Sequence, residues 1–241
     1  MLNIQKGVQK VPASLAIYGV EGIGKTTFAS KLPGALIIDI EKGSVNYDVM
    51  RITDVKNWEN LIETMRDLYK NATEYHKNGI KTIVFDSVDA IENELLIPFI
   101  LKNSRAKTLA EMEWGKGYEL ENRTFTEFLQ MCEALKSVGY NIVYVVHSTQ
   151  KEINPPDNQP YSHYELKLNK KLSATLKENV DMLLFFNFQI LVCSDKGGNK
   201  GKAVERVMIC NHTAYADAKN RFGLETILPL KVENVYKFFE V

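Results

Sequence analysis

The segment Gly19-Val20-Glu21-Gly22-Ile23-Gly24-Lys25-Thr26-Thr27 follows directly on the apolar run Leu15-Ala16-Ile17-Tyr18 and satisfies G-x-x-x-x-G-K-[ST] at every fixed position. Glycines let a backbone turn tightly and approach a polyanion, so that successive N–H groups face it. Between a strand and a helix such a loop is a phosphate cradle, in which Lys25 reaches the β- and γ-phosphates and Thr26 ligates Mg²⁺. The chain is therefore expected to bind ATP with Mg²⁺ along Gly19 to Thr27.

A length of 241 residues suits one large α/β domain, here taken as 1–241, with a short arm at 1–13. Lys plus Arg and Asp plus Glu balance at 30 each, so any nucleic-acid site has to be a local patch. Cys132, Cys193 and Cys210 lie far apart and form no C-x-x-C pair, which argues against a disulfide framework or a zinc site. Met1 to Lys6 lacks a signal-peptide apolar block, and no run approaches the roughly 18 apolar residues of a membrane helix. A cytosolic protein with reduced thiols is expected.

Short apolar runs at Leu15–Tyr18, Ala35–Ile40, Ile80–Phe85, Ile142–Val146 and Met182–Phe186 alternate with helical patterns, the mark of βαβ units. Trp58, Leu61, Ile62, Met65, Leu68 and Tyr69 recur at helical spacing after a possible Asn57 cap. A second helix is expected from about Tyr118 to Val138, stopped by Gly139. The fold class is thus α/β, a central mostly parallel sheet flanked by helices. Gln189–Cys193 and Val204–Cys210 around a Gly-rich turn read as an antiparallel hairpin over about 188–210. Pro155-Pro156 and Pro160 predict an exposed, mobile loop within 148–168.

The strand Ile80 to Phe85 ends in Asp86, which is placed to hold the metal's water shell opposite Thr26, with Asp89 as the competing candidate. The second strand ends in Asp39-Ile40-Glu41, and Glu41 is the expected general base for the attacking water. In a parallel sheet the carboxyl ends of the strands share one edge, so Glu41, Asp86 and the glycine loop can converge there.

Together with Ala218-Lys219-Asn220-Arg221-Phe222-Gly223 near the C-terminal end, these motifs resemble the RecA/DnaB class of ATPases in their order along the chain. By that resemblance the acid at Glu41 activates water. Lys219 and Arg221 match a K-N-[KR] element that reaches the γ-phosphate of a neighbouring subunit. His147, ending the strand Asn141 to Val146, matches the position of a γ-phosphate sensor, although RecA has an amide pair there. The segment from Ser148 to Leu168 then corresponds to a mobile DNA-binding loop. Lys151, Tyr161, His163, Tyr164, Lys167, Lys170 and Lys171 offer cations and rings to single-stranded DNA, with Lys196, Lys200 and Lys202 as further phosphate contacts. His76, His163 and His212 show no metal spacing and are expected at the surface.

The chain looks most like the compact phage ATPases that act as or beside single-strand annealing recombinases of the Sak group. That resemblance implies self-association into a ring or filament, single-stranded DNA as partner, and a possible phage recombination or single-strand-binding protein. Two other classes stay open: a DnaB-like ring motor and a non-hydrolysing ATP-binding module. A small-molecule kinase is less favoured, since no arginine-rich lid accompanies an acceptor site.

Overall fold

The computed structural model describes residues 6–7, 9–102, 104–156, 159–195 and 198–240, and within 190–204 it describes backbone only. The first half runs β1 (Ser14–Gly19), α1 (Lys25–Ala29), β2 (Ala35–Asp39), β3 (Met50–Ile52), α2 (Trp58–Lys70), α3 (Ala72–Lys77) and β4 (Thr82–Asp86). A continuous helical stretch follows: α4 (Val88–Ala90), a π-helical turn at Ile91–Leu96, and α5 (Ile97–Leu101). Then come α6 (Lys116–Ser137), β5 (Asn141–Ile153), β6 (Tyr161–Leu166) and α7 (Lys170–Asn179). The chain closes with β7 (Met182–Asp195), β8 (Gly198–Ile209), β9 (Lys219–Asn220), β10 (Ile227–Pro229) and α8 (Glu233–Tyr236).

These strands join in the order β10-β8-β7-β1-β5-β4-β2-β3, with β6 added to β5 and β9 to β7. Every pairing from β7 through β1, β5, β4 and β2 to β3 is parallel, whereas β8 and β10 continue the sheet antiparallel. This is the expected α/β class, with an antiparallel extension. The central strands read as unbroken apolar runs because both faces are covered. Leu15 and Ile17 pack with Phe28, Val143, Phe186 and Phe239 on one face, and Ala16 and Tyr18 pack with Phe85, Phe128 and Tyr144 on the other.

Two long helices, α2 and α6, follow their sequence signals. Asn57 accepts the Asn60 N–H at 2.8 Å and starts α2, which buries Trp58, Leu61, Met65 and Leu68. Phe125, Phe128, Leu129, Cys132 and Leu135 form the buried stripe of α6. Two buried carboxyls, Glu92 and Glu121, meet at the start of α7, where the Asn169 backbone N–H donates to Glu92 at 3.0 Å and its side-chain amide to Glu121 at 2.9 Å. Burial pushes the Glu92 carboxyl up to about 7, with the neighbouring Glu121 adding to the effect.

Three expectations change. The 148–168 segment is mainly an antiparallel hairpin in which Ser148 to Ile153 pair with Leu166 back to Tyr161. Its prolines lie between the two strands, so they interrupt no ladder. The runs Met182–Phe186 and Gln189–Cys193 are not separate strands; they are parts of the single strand β7, bulged at Gln189 and Ile190. His163 is buried, its ring facing the Ala214 carbonyl at 2.8 Å and Asp217 at 3.3 Å, and His76 is partly buried between the Ile80 and Val138 carbonyls. Among the described residues no helix is long and apolar enough to cross a membrane.

Candidate nucleotide and metal site

The glycine loop leaves the carboxyl end of β1 between two partners, since Gly19 lies across from His147 on β5 and Phe186 on β7. A Cβ on Gly19 would stand 2.2 Å from the Phe186 carbonyl oxygen, so only glycine fits this approach. Gly22 and Gly24 take φ of +72° and +105°, and the chain then enters α1 at Lys25. Lys25 is buried, and its ammonium donates to the Gly19 and Val20 carbonyls at 3.0 and 3.2 Å. Burial lowers its pKa against the opposing pull of Asp86, Asp89 and Glu41. A phosphate here would replace these two carbonyls with charged acceptors.

Thr26 donates its hydroxyl to Asp86 Oδ2 at 2.7 Å. Asp86 ends β4, and burial pushes its carboxyl up to about 6 despite the Thr26 hydrogen bond, with the Glu41 and Asp39 charges adding to the rise. A carboxylate and a hydroxyl at this spacing are hard oxygen donors that suit Mg²⁺, which takes few protein ligands and keeps its waters. The donor set therefore fits the ion implied by the motif.

Asp39, across from Asp86 in the register of β2 and β4, fixes the loop that carries Glu41. It accepts the Gly43 and Ser44 N–H groups at 3.1 and 2.9 Å and the Ser44 hydroxyl at 2.6 Å. Glu41 in turn accepts the Ser87 hydroxyl, which follows a cis Asp86–Ser87 peptide. His147 Nδ1 stands 2.9 Å from Asp89 and 3.6 Å from Glu41. Ligand atoms of Glu41, Asp89 and His147 lie within 4.8 Å of one another, an arrangement that could also hold a cation. Asp89 thus faces His147, whereas Asp86 is the carboxylate on Thr26.

Lys25, Thr26, Glu41, Asp86 and His147 line one cavity of about 420 Å³ with Glu21, Gly22, Gly24, Thr27, Tyr47 and Arg206. Sequence reasoning assigned no role to Asp39, Tyr47 or Arg206. Tyr47 accepts the Thr27 hydroxyl at 3.1 Å. Arg206 comes from β8 and reaches the loop only through the antiparallel pairing of β8 with β7, a relationship without a local sequence signal.

Lys219 and Arg221 lie elsewhere. Lys219 donates to the Lys177 and Glu178 carbonyls at 2.9 and 3.1 Å, and Arg221 pairs with Asp181 at 3.0 Å. Asp181 also holds Ser14, the first residue of β1, while the loop follows the last. One six-residue strand, about 17 Å long, separates the two ends. The two basic residues therefore stand at the opposite sheet edge from the chain's own phosphate loop.

Of the DNA candidates, Lys151, Tyr161, Lys167, Lys170 and Lys171 are exposed, and Lys151 lies 4.0 Å from Glu165. His163 is buried and Tyr164 partly so, stacked on Phe185 with ring centroids 4.8 Å apart, so neither offers a free ring face. As neighbours on β6 the two point to opposite faces, and both faces are covered, His163 by Ala214 and Asp217 and Tyr164 by Phe185, where the sequence suggested stacking platforms. Lys196 lies outside the described residues, as do the side chains of Lys200 and Lys202.

Parallel sheet, glycine loop and paired strand-end carboxylates define a protein of the P-loop ATPase class. The chain belongs to the AAA domain family, whose sequence profile matches residues 11–222. It is 22% identical over 225 residues to the SPbeta prophage-derived protein YorG of Bacillus subtilis strain 168, across 92% of this chain and 64% of that protein. The chain thus spans less than two thirds of that relative's length. In shape it is similar to the RadB recombinase, with a TM-score of 0.48, 12% identity and coverage of 93% of this chain and 90% of that one. A KaiC-like protein from Pyrococcus horikoshii gives 0.48 and 13% over 91% and 85% of the two chains.

Proposed function

We propose that this chain is a Mg²⁺-dependent, RecA-like ATPase acting as one ATPase domain on single-stranded DNA, in phage-type recombination, annealing or repair. The observation that carries the reading is the convergence of Lys25, the Thr26–Asp86 pair and Glu41 on one cavity at the carboxyl edge of the sheet. Kinship with a prophage-derived protein supports the phage setting.

In this reading the triphosphate lies along the N–H groups of Gly22 to Thr27, and Lys25 exchanges its two loop carbonyls for β- and γ-phosphate oxygens. Thr26 and Asp86 hold the metal, which when bound neutralises charge on the phosphates. Glu41, fixed by Ser87 and by the loop pinned on Asp39, takes the proton of the attacking water. Water oxygen bonds to the γ-phosphorus, the bond to the bridging oxygen of ADP breaks, and ADP and phosphate leave. His147, which lines the same cavity, donates to a γ-phosphate oxygen in this reading. On the same reading Lys219 and Arg221 serve a neighbour's nucleotide, so that assembly completes the site, as transition-state cations do when supplied in trans.

The test is Mg²⁺-ATP turnover against protein concentration, with and without single-stranded DNA, at two salt levels. Specific activity that rises with concentration and with DNA, and falls at high salt, supports the reading. A low rate indifferent to DNA and concentration sinks the recombinase assignment.

A further inference from the structure

The phosphate cavity adjoins a second one of about 590 Å³, and the two share Gly24, Thr27 and Arg206. The second runs between Phe28 of α1, with Lys31 just beyond it, and the segment from Leu230 to Glu233. Glu41, Asp86 and His147, which mark the γ-phosphate end in the proposed function, line only the first. Arg206 lines both cavities and therefore stands at their junction.

Its surroundings suit an anion. The guanidinium Nη1 lies 3.3 Å from where a Cβ on Gly24 would be, directly against the backbone that turns into α1. Gly24 itself is required by its φ of +105°. The strand fixes the base of the side chain, since Arg206 pairs with Phe188 on β7 and its carbonyl accepts the Leu230 N–H at 2.9 Å. The guanidinium carbon lies 5.8 Å from the centre of the Phe188 ring, which supports its planar face. Among the described residues no carboxylate lies within ion-pair distance of it, although Arg51 and Arg221 are both engaged by chain acceptors. A guanidinium exposed beside a phosphate loop and without an ion pair among the described residues presents a fork of donors matched to phosphate oxygens.

We infer that Arg206 is a nucleotide-binding residue acting in cis, its guanidinium contacting the α- and β-phosphates while the rest of the nucleotide runs on into the second cavity. The inference rests on the ATP-binding reading of the glycine loop. It adds a cation that belongs to the same protomer as Lys25, in contrast to the trans role proposed for Lys219 and Arg221.

The experiment is calorimetric titration of Mg²⁺-ATP and Mg²⁺-ADP into the wild-type chain, R206A, R206K and K25A, with apo thermal midpoints recorded for each. R206A is expected to weaken both nucleotides by roughly ten- to a hundredfold, the worth of one or two charge-assisted hydrogen bonds. R206K, keeping the charge and losing the fork, falls in between, and the apo midpoints stay together because the side chain is exposed. Unchanged affinities in R206A overturn the inference and leave ATP binding intact. A loss confined to ATP overturns the placement at the α- and β-phosphates. If the wild-type chain binds neither nucleotide, the ATP-binding reading itself falls, a result distinguishable because K25A and wild type then coincide.

Discussion

Asp89 grips His147 twice, accepting its backbone N–H at 3.0 Å on one oxygen and facing ring Nδ1 at 2.9 Å with the other. The pair ties α4 to β5 beside Glu41. The Asp89 hydrogen bond raises the His147 pKa although burial opposes it. Burial pushes Asp89 up, but its bonds to His147 outweigh that and hold the carboxyl below its ordinary value. Stability from the histidine shift is full below its unfolded value near 6.5 and fades as pH rises through the folded one. Stability from Asp89 is present above its unfolded value near 4 and is lost as pH falls through the lowered folded one. The clamp is thus strongest between about pH 4 and 6.5. Urea unfolding should show H147A destabilised by about 1–3 kcal/mol at pH 5.5 and by less at pH 9. Equal losses at both pH values would contradict a charged clamp.

The buried Asp86 carboxyl makes the opposite demand on the fold. With its folded pKa raised to about 6, the native state holds this proton more tightly than the unfolded chain does. Its contribution therefore declines as pH rises from about 4 through 6 and is a net cost above that. In D86N the amide oxygen still accepts from Thr26 and the charge is gone. Without nucleotide, D86N should be more stable than wild type at pH 7.5, by about 1–2 kcal/mol, and equal to it near pH 4. Mg²⁺-ATP should then stabilise the wild type more than the variant. Parallel stability curves for the two apo proteins across this range would show that the carboxylate is not paying a burial cost.

Two glycines of the loop answer to different constraints. At Gly19 an added Cβ meets the Phe186 carbonyl at 2.2 Å, and that carbonyl belongs to β7, paired with β1 along its length. Relief requires parting the two strands, so G19A should lose about 3 kcal/mol or more. At Gly22 a Cβ meets nothing within 4 Å, and only φ of +72° opposes it. G22A should lose about 1–2 kcal/mol. Chemical denaturation of the two variants decides the order, and a G22A protein less stable than G19A would refute this account of the loop.

What the sequence made legible follows from how local each signal is. The central strands are apolar throughout because both faces are covered, and α2 announces itself by its cap at Asn57 and its buried Trp58, Leu61, Met65 and Leu68. The helical stretch from Val88 to Leu101 passed unread, since its π turn at Ile91–Leu96 breaks the 3.6-residue period. The hairpin at 148–168 was hidden by its prolines, which sit between its strands rather than within them. His163 and Tyr164 look like exposed recognition residues until contacts with Ala214, Asp217 and Phe185 cover them. Arg206 depends on contacts with β7 and the segment at Leu230, both remote in sequence from the glycine loop.

The position of Arg221 yields the prediction that bears most directly on assembly. Its partner Asp181 accepts from Ser14 at the start of β1, and the glycine loop begins at the far end of that strand. Arg221 therefore cannot reach the nucleotide of its own chain without unravelling the sheet edge, and any catalytic role has to be exercised on a neighbour. R221A alone and K25A alone should each be nearly inactive: the first has intact loops without the Arg221 finger, the second has that finger without a working loop. Mixed in equal amounts, they form interfaces in which a K25A protomer presents Arg221 to the intact loop of an R221A protomer, and turnover should recover to a sizeable fraction of wild type. Asp181 stays held by Ser14 and Lys136 in R221A, so the fold should survive, which an unfolding midpoint checks. Absence of recovery from two folded, co-assembling variants would count against the finger role and leave Arg221 as a fastener of the sheet edge.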